Sequence, residues 1–188
     1  MDLMDLPNHP DSDAEVTQRT QDWVVKAVIG LNLCPFAKAE HVHGRIRYEV
    51  SHAVKRKALL QELKQSIQYL CSQPAEQVET TLLVHPWVLL DFFDFNDFLA
   101  DVDDLVDDLD LAGEIQVASF HPHYQFADAG PDDIENFTNR SPWPTLHIIR
   151  EASIERAVQA FPDAADIYER NKAVLRQLGL EGWKKLMS

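Results

Sequence analysis

"EIQVASFHP" (114–122) is the stretch on which the reading of the fold turns. An apolar, partly β-branched run ends in His121 and Pro122, with His123 next. Proline pushes the residue before it toward extended backbone, so His121 is expected at the carboxyl end of a strand. "ETTLLVHP" (79–86) has the same design and ends in His85 and Pro86. "RIRYEVSH" (45–52) alternates apolar and polar residues and reads as a strand, as does "TLHIIRE" (145–151). Amphipathic helices separate the first three strands. Residues 54–71 turn Leu60, Leu63, Ile67 and Leu70 inward, and residues 95–109 do the same with Phe95, Phe98, Val102 and Leu105. Strand–helix–strand–helix–strand implies crossover connections. The expectation is an α/β fold with a mostly parallel sheet of about four strands flanked by helices, in which the last strand can run antiparallel.

The rest of the chain is arranged around that sheet. Residues 1–12 carry two prolines and no periodicity and read as a flexible lead-in. Residues 13–188 read as a single α/β domain. Ser12 and Glu15 form a capping box, and Val16, Thr20, Trp23, Val24, Ala27 and Val28 follow on one helical stripe that stops near Gly30. The C-terminus reads as helical: a helix to about Ala160, a break at Pro162, then a helix capped by Asp163 and closed by Gly179. Residues 121–144 hold four prolines in a long loop without periodicity, a kind of loop that usually carries function.

A formal net charge of −14 and a sequence pI near 4.8 exclude a partner held by phosphate neutralisation, so no nucleic acid is expected. They equally argue against an anionic membrane surface. Small molecules and proteins remain. The first residues lack the basic and apolar regions of a signal peptide, and two cysteines, Cys34 and Cys71, make no disulfide framework. A cytoplasmic location is expected. The chain has no G-x-G-x-x-G and no P-loop, so NAD and ATP lack their fingerprints.

Three stretches can carry chemistry. His85 and His121 close strands that should run in one direction, which puts them on the same sheet edge, where open α/β sheets bind ligands. His123 stands two residues beyond His121 and projects to the same side of an extended backbone. The three imidazoles could hold one divalent metal such as zinc or iron; alternatively, His-Pro simply ends a strand. In "LNLCPFAKAE" (31–40), Pro35 suits the first position of a helix, and Cys34 would be its N-cap, with its sulfur at the positive end of the dipole. A Cys–His nucleophile with His121 or His123 follows from that placement. The alternative is a small buried cysteine packed against Phe36. Cys71 reads as core. In "FTNRSPWPTLHIIRE" (137–151), Arg140 on a rigid loop can clamp an anionic substrate, or it can tie loop carbonyls together. His147 alternates with apolar neighbours as a strand histidine does. Nine aspartates from Asp91 to Asp110 read as the solvated face of a helix. The calcium-loop spacing of Asp108, Asp110 and Gly113 fails where Ala112 and Ser119 stand.

"LCPFA", "FHPHYQFA" and "NRSPWPTLHIIRE", in that order and with a final "ERN" on a helix, resemble a bacterial family known as domain of unknown function 1415, from about Asp13 to Trp183. The resemblance groups Cys34, His121, Tyr124, Gln125, Asn139, Arg140 and His147 as one set and assigns none of them a role. Three readings follow. The first is a small-molecule enzyme with a Cys34, His121 and His123 site at the sheet edge, where Arg140, Asn139, Tyr124 and Gln125 bind an anionic substrate. The second is a metal-binding protein using His85, His121 and His123. The third is a non-catalytic interaction module with an acidic helix face.

Overall fold

The computed structural model describes residues 12–160 and 166–188. The lead-in over residues 1–11 and the helix break expected at Pro162 and Asp163 lie outside them. Among the described residues, six α-helices accompany a four-stranded sheet. The strands are β1 (Ile46–Val50), β2 (Thr80–Val84), β3 (Ile115–Phe120) and β4 (Thr145–Arg150), in the spatial order β1-β2-β4-β3. The fold is α/β, with a mixed sheet in place of the mostly parallel one expected. β1 and β2 pair in parallel, whereas β4 runs antiparallel to both β2 and β3. The reason lies in the connections. Residues 121–144 contain only a 3-10 turn at Ile134–Thr138, so the chain has no helical crossover there and re-enters the sheet beside the strand it has just left.

α3 (Arg56–Ser72) and α4 (Phe92–Asp108) cover one face. Leu59, Leu63, Ile67 and Leu70 of α3 and Phe95, Phe98 and Val102 of α4 pack on Leu83, Leu146 and Ile148 of the sheet, all essentially inaccessible to solvent. α4 starts earlier than expected because Asp91 caps it, its carboxylate accepting from the Phe93 and Asp94 amides at 2.8 and 3.1 Å. The aspartates of α4 point away from this core, and Asp101 meets Arg56 in an exposed ion pair.

The opposite face is covered by α1 (Asp13–Trp23), a π-helix (Val24–Ile29), the short α2 (Ala37–Val42) and α6 (Ile167–Met187). Ser12 caps α1 as expected, accepting from the Glu15 amide at 3.2 Å. Trp23, Val24, Ala27, Leu82, Leu175 and Trp183 form this second core. Gly179 takes a left-handed φ of 66° and breaks α6, after which helix resumes to Met187. α5 (Glu151–Ala160) follows β4 directly. No helix among the described residues is long and apolar enough to cross a membrane.

Candidate functional site

β2 and β3 both run antiparallel to β4, so they share a direction. Val84 and Phe120 pair with Thr145 from opposite sides, which leaves His85 and His121 flush on one edge of the sheet. Their rings turn toward α4 and flank Phe95, at centroid distances of 5.5 and 5.2 Å. Burial lowers both imidazoles from 6.5 to about 4, so both are neutral at pH 7. His85 donates from Nδ1 to the Val88 carbonyl at 3.0 Å, and His121 donates from Nε2 to the Leu89 carbonyl at 3.2 Å. Leu89 is held at a left-handed φ of 57°, so these two bonds fasten a strained turn. The remaining nitrogen of His121 accepts from the His123 amide at 3.0 Å. His121 therefore spends both ring nitrogens on the fold and has no lone pair left for a metal or a thiol. His123 is exposed. His85 keeps a buried Nε2 without a hydrogen-bond partner. Among the described residues, no group of three or more His, Cys, Asp or Glu side chains is arranged to hold a metal ion.

The loop that follows is built from the other expected site residues. Asn139 donates to the Ser119 carbonyl at 3.2 Å, and its own carbonyl receives the His121 amide at 3.1 Å. Gln125 donates to the Ala129 carbonyl at 2.8 Å. Tyr124 packs on Phe92 and Phe126, and burial raises its phenol above the ordinary value. Arg140 donates to the carbonyls of Tyr124 at 3.1 Å and Pro131 at 2.6 Å and lies over the Phe137 ring. These side chains tie residues 119–140 into one ordered unit.

Cys34 lies on the other side of the sheet. The helix expected from Pro35 begins two residues later, at Ala37, with Phe36 as its N-cap. Cys34 instead opens a turn in which its carbonyl accepts from the Ala37 amide at 3.3 Å, so its sulfur has no N-cap position. Pro35 suits a turn as well as a first helical residue, because both need the same φ. The turn is held from α6: Asn171 donates to the Leu33 carbonyl at 2.9 Å and Arg170 to that of Asn32 at 2.7 Å. "LCPFA" and "ERN", far apart in the chain, are thus one structural unit. Cys71 is exposed rather than core, because the inward side of α3 ends at Leu70.

Cys34 lines a cavity of about 590 Å³, a volume ordinary for small-molecule sites. Its walls are mostly apolar: Trp23 and the π-helix residues Val24 and Val28 on one side, Phe36 at the α2 end, and Leu82, Phe120 and Ile149 on the sheet. π-Helical turns are rare and recur at functional sites. Here i→i−5 bonds run from Gly30 to Val25 at 3.0 Å and from Leu33 to Val28 at 2.9 Å. Gly30 is required, since a Cβ there would lie 2.1 Å from the Lys26 carbonyl oxygen.

The polar groups of the cavity are few. His147 lies mid-sheet, paired with Leu82 on one side and Ala118 on the other, and burial lowers its imidazole to about 4. Its Nε2 meets Thr80 Oγ1 at 2.7 Å. Glu40 pairs with Arg45 at 2.8 Å, and Glu79 pairs with Arg156 at 3.0 Å and with Ser153. His147 was in the set implied by the sequence resemblance, and its period-two spacing with Thr145 and Ile149 already put it on one face. Thr80, Glu79, Arg45 and Arg156 carried no sequence signal, because only the cavity relates them. The structure thus brings together Cys34 and His147, brings His85 and His121 together elsewhere, and separates the two pairs by the sheet.

A family model described as protein of unknown function, DUF1415, matches residues 15–185, and the chain belongs to that family. No curated protein and no solved structure matches the chain.

Proposed function

We propose that this member of a family of unknown function is a small-molecule enzyme whose site is the cavity between the sheet and the α1, π-helix and α2 layer. Cys34 is its nucleophile, and His147 is the polar group that orients the substrate. The observation that carries the reading is that Cys34 and His147, set more than a hundred residues apart, line one mostly apolar cavity. An imidazole at about 4 is a weak base at pH 7, so His147 serves as a hydrogen-bond acceptor rather than as a proton store. Arg140, bound to two carbonyls, is the scaffold of the adjoining loop and not the anion clamp.

The test is alkylation of Cys34 in a Cys71→Ser background, with adducts located by mass spectrometry. N-phenyl iodoacetamide should label Cys34 at least about tenfold faster than charged iodoacetate, relative to the same ratio for a free thiol. That is the preference of a nucleophile in an apolar site. A ratio equal to that of glutathione would overturn the catalytic reading.

A further inference from the structure

The polar groups of the cavity restrict what can occupy it. The Thr80 hydroxyl has one proton, and its oxygen lies 2.6 Å from the Ile148 carbonyl oxygen. A carbonyl only accepts, so the proton points there. Thr80 Oγ1 must then accept from His147 Nε2 at 2.7 Å. A neutral imidazole has one N–H, so Nδ1 carries the lone pair. No group among the described residues hydrogen-bonds to this Nδ1. The remaining charges cancel: Glu40 with Arg45 and Glu79 with Arg156 leave no net charge at the cavity. A charged ligand would lose its hydration there without a free counter-ion. An apolar ligand lacking a donor would cover Nδ1 and leave it unpaired.

We propose that the cavity takes an uncharged, largely apolar small molecule that donates one hydrogen bond to Nδ1 of His147, and that Thr80 is the positioning residue that sets the imidazole tautomer for it. The inference rests on the cavity being the site, as argued above, and names the class of substrate it accepts. Phenols, amides and alcohols with an apolar body belong to that class; carboxylates, phosphates and alkylammonium ions do not.

The experiment titrates the full chain by calorimetry with 4-propylphenol, 4-propylanisole and propylbenzene, which match in shape and differ in the donor. The phenol should bind roughly tenfold or more tighter than the anisole, the difference expected for one buried hydrogen bond made or lost. In His147→Phe the preference should vanish while propylbenzene still binds. Equal binding of phenol and anisole by the wild-type protein would overturn the donor rule and leave the cavity reading standing. Binding of none of the three would overturn the cavity reading itself. A phenol preference that survives in His147→Phe would remove His147 from the role. The role of Thr80 has its own readout in nitrogen-15 spectra of labelled histidine. The wild-type ring should show the Nε2–H tautomer, and Thr80→Val should convert it to a mixture. An unchanged tautomer in Thr80→Val would overturn the role of Thr80.

Discussion

Two faces of one sheet treat their histidines differently. On the α3/α4 face, His85 and His121 pack against Phe95 and fasten the turn at Val88 and Leu89. On the opposite face, His147 is anchored by one nitrogen to Thr80 and lines a cavity. Burial lowers all three imidazoles to about 4. A depressed value therefore marks burial and does not by itself mark a site. What separates the faces is where an unpartnered ring nitrogen lies. On the packed face His121 spends both within the fold and His85 seals its unpartnered Nε2 in the core, while His147, with one nitrogen bonded to Thr80, lines a cavity. The same accounting sorts the arginines. Arg140 is consumed by loop carbonyls and Arg150 by the carbonyls of Leu70, Gln73 and Val78, while Arg45 and Arg156 stand at the cavity.

The largest expected effect comes from acid, which strikes both faces. Above the unfolded imidazole value of 6.5, folded and unfolded chains are both neutral at these positions, and the histidines add no pH dependence. Below it, the unfolded chain takes up protons that the folded chain refuses until about 4. Stability should therefore fall between pH 6.5 and 4 and level off beneath, by on the order of 3 kcal/mol per histidine. Urea midpoints across that range measure the fall. His147→Phe should flatten it by that residue's share, and an unchanged pH profile would show that His147 takes its proton without unfolding.

Phe95→Ala tests the packed face alone. Phe95 is fully buried between two imidazoles, and its removal should cost about 3–5 kcal/mol. Binding in the cavity should be unaltered at temperatures where the variant is folded. Loss of binding by the folded variant would show that the two faces are coupled through the sheet.

Asn171→Ala tests the cavity face, with the smallest effect of the three. It removes the donor to the Leu33 carbonyl and should cost about 1–2 kcal/mol. Because that bond holds the turn bearing Cys34, alkylation of Cys34 should lose its preference for the apolar reagent. A variant with lower stability but the same preference would show that the turn holds without Asn171, with Arg170 still bonded to the Asn32 carbonyl.

Much of this was legible beforehand. The His-Pro pairs at 85–86 and 121–122 marked strand ends, because proline's effect on its neighbour is local. Their placement on one edge needed only that β2 and β3 run in one direction. The capping box at Ser12 and the apolar stripes of α3 and α4 are equally local. The start of α2 was not legible. A six-residue helix has too few turns to declare itself, and Pro35 fits a turn equally well. Nor was the π-helix, whose residues Val24–Ile29 follow an ordinary helical stripe.

By itself, the sequence determined the alternation of strands and helices and the edge on which His85 and His121 lie, since each depends on periodicity or on one residue's effect on the next. Only the tertiary structure decided the direction of β4, because strand polarity depends on how the chain returns from residues 121–144. It alone decided which ring nitrogens are spent, because that depends on carbonyls and hydroxyls supplied by distant segments: Leu89 for His121, Thr80 for His147. The shared cavity of Cys34 and His147 is of the same kind. Nothing in either stretch refers to the other, and they share a cavity because α1, the π-helix and α2 close over the face of the sheet that α3 and α4 leave open.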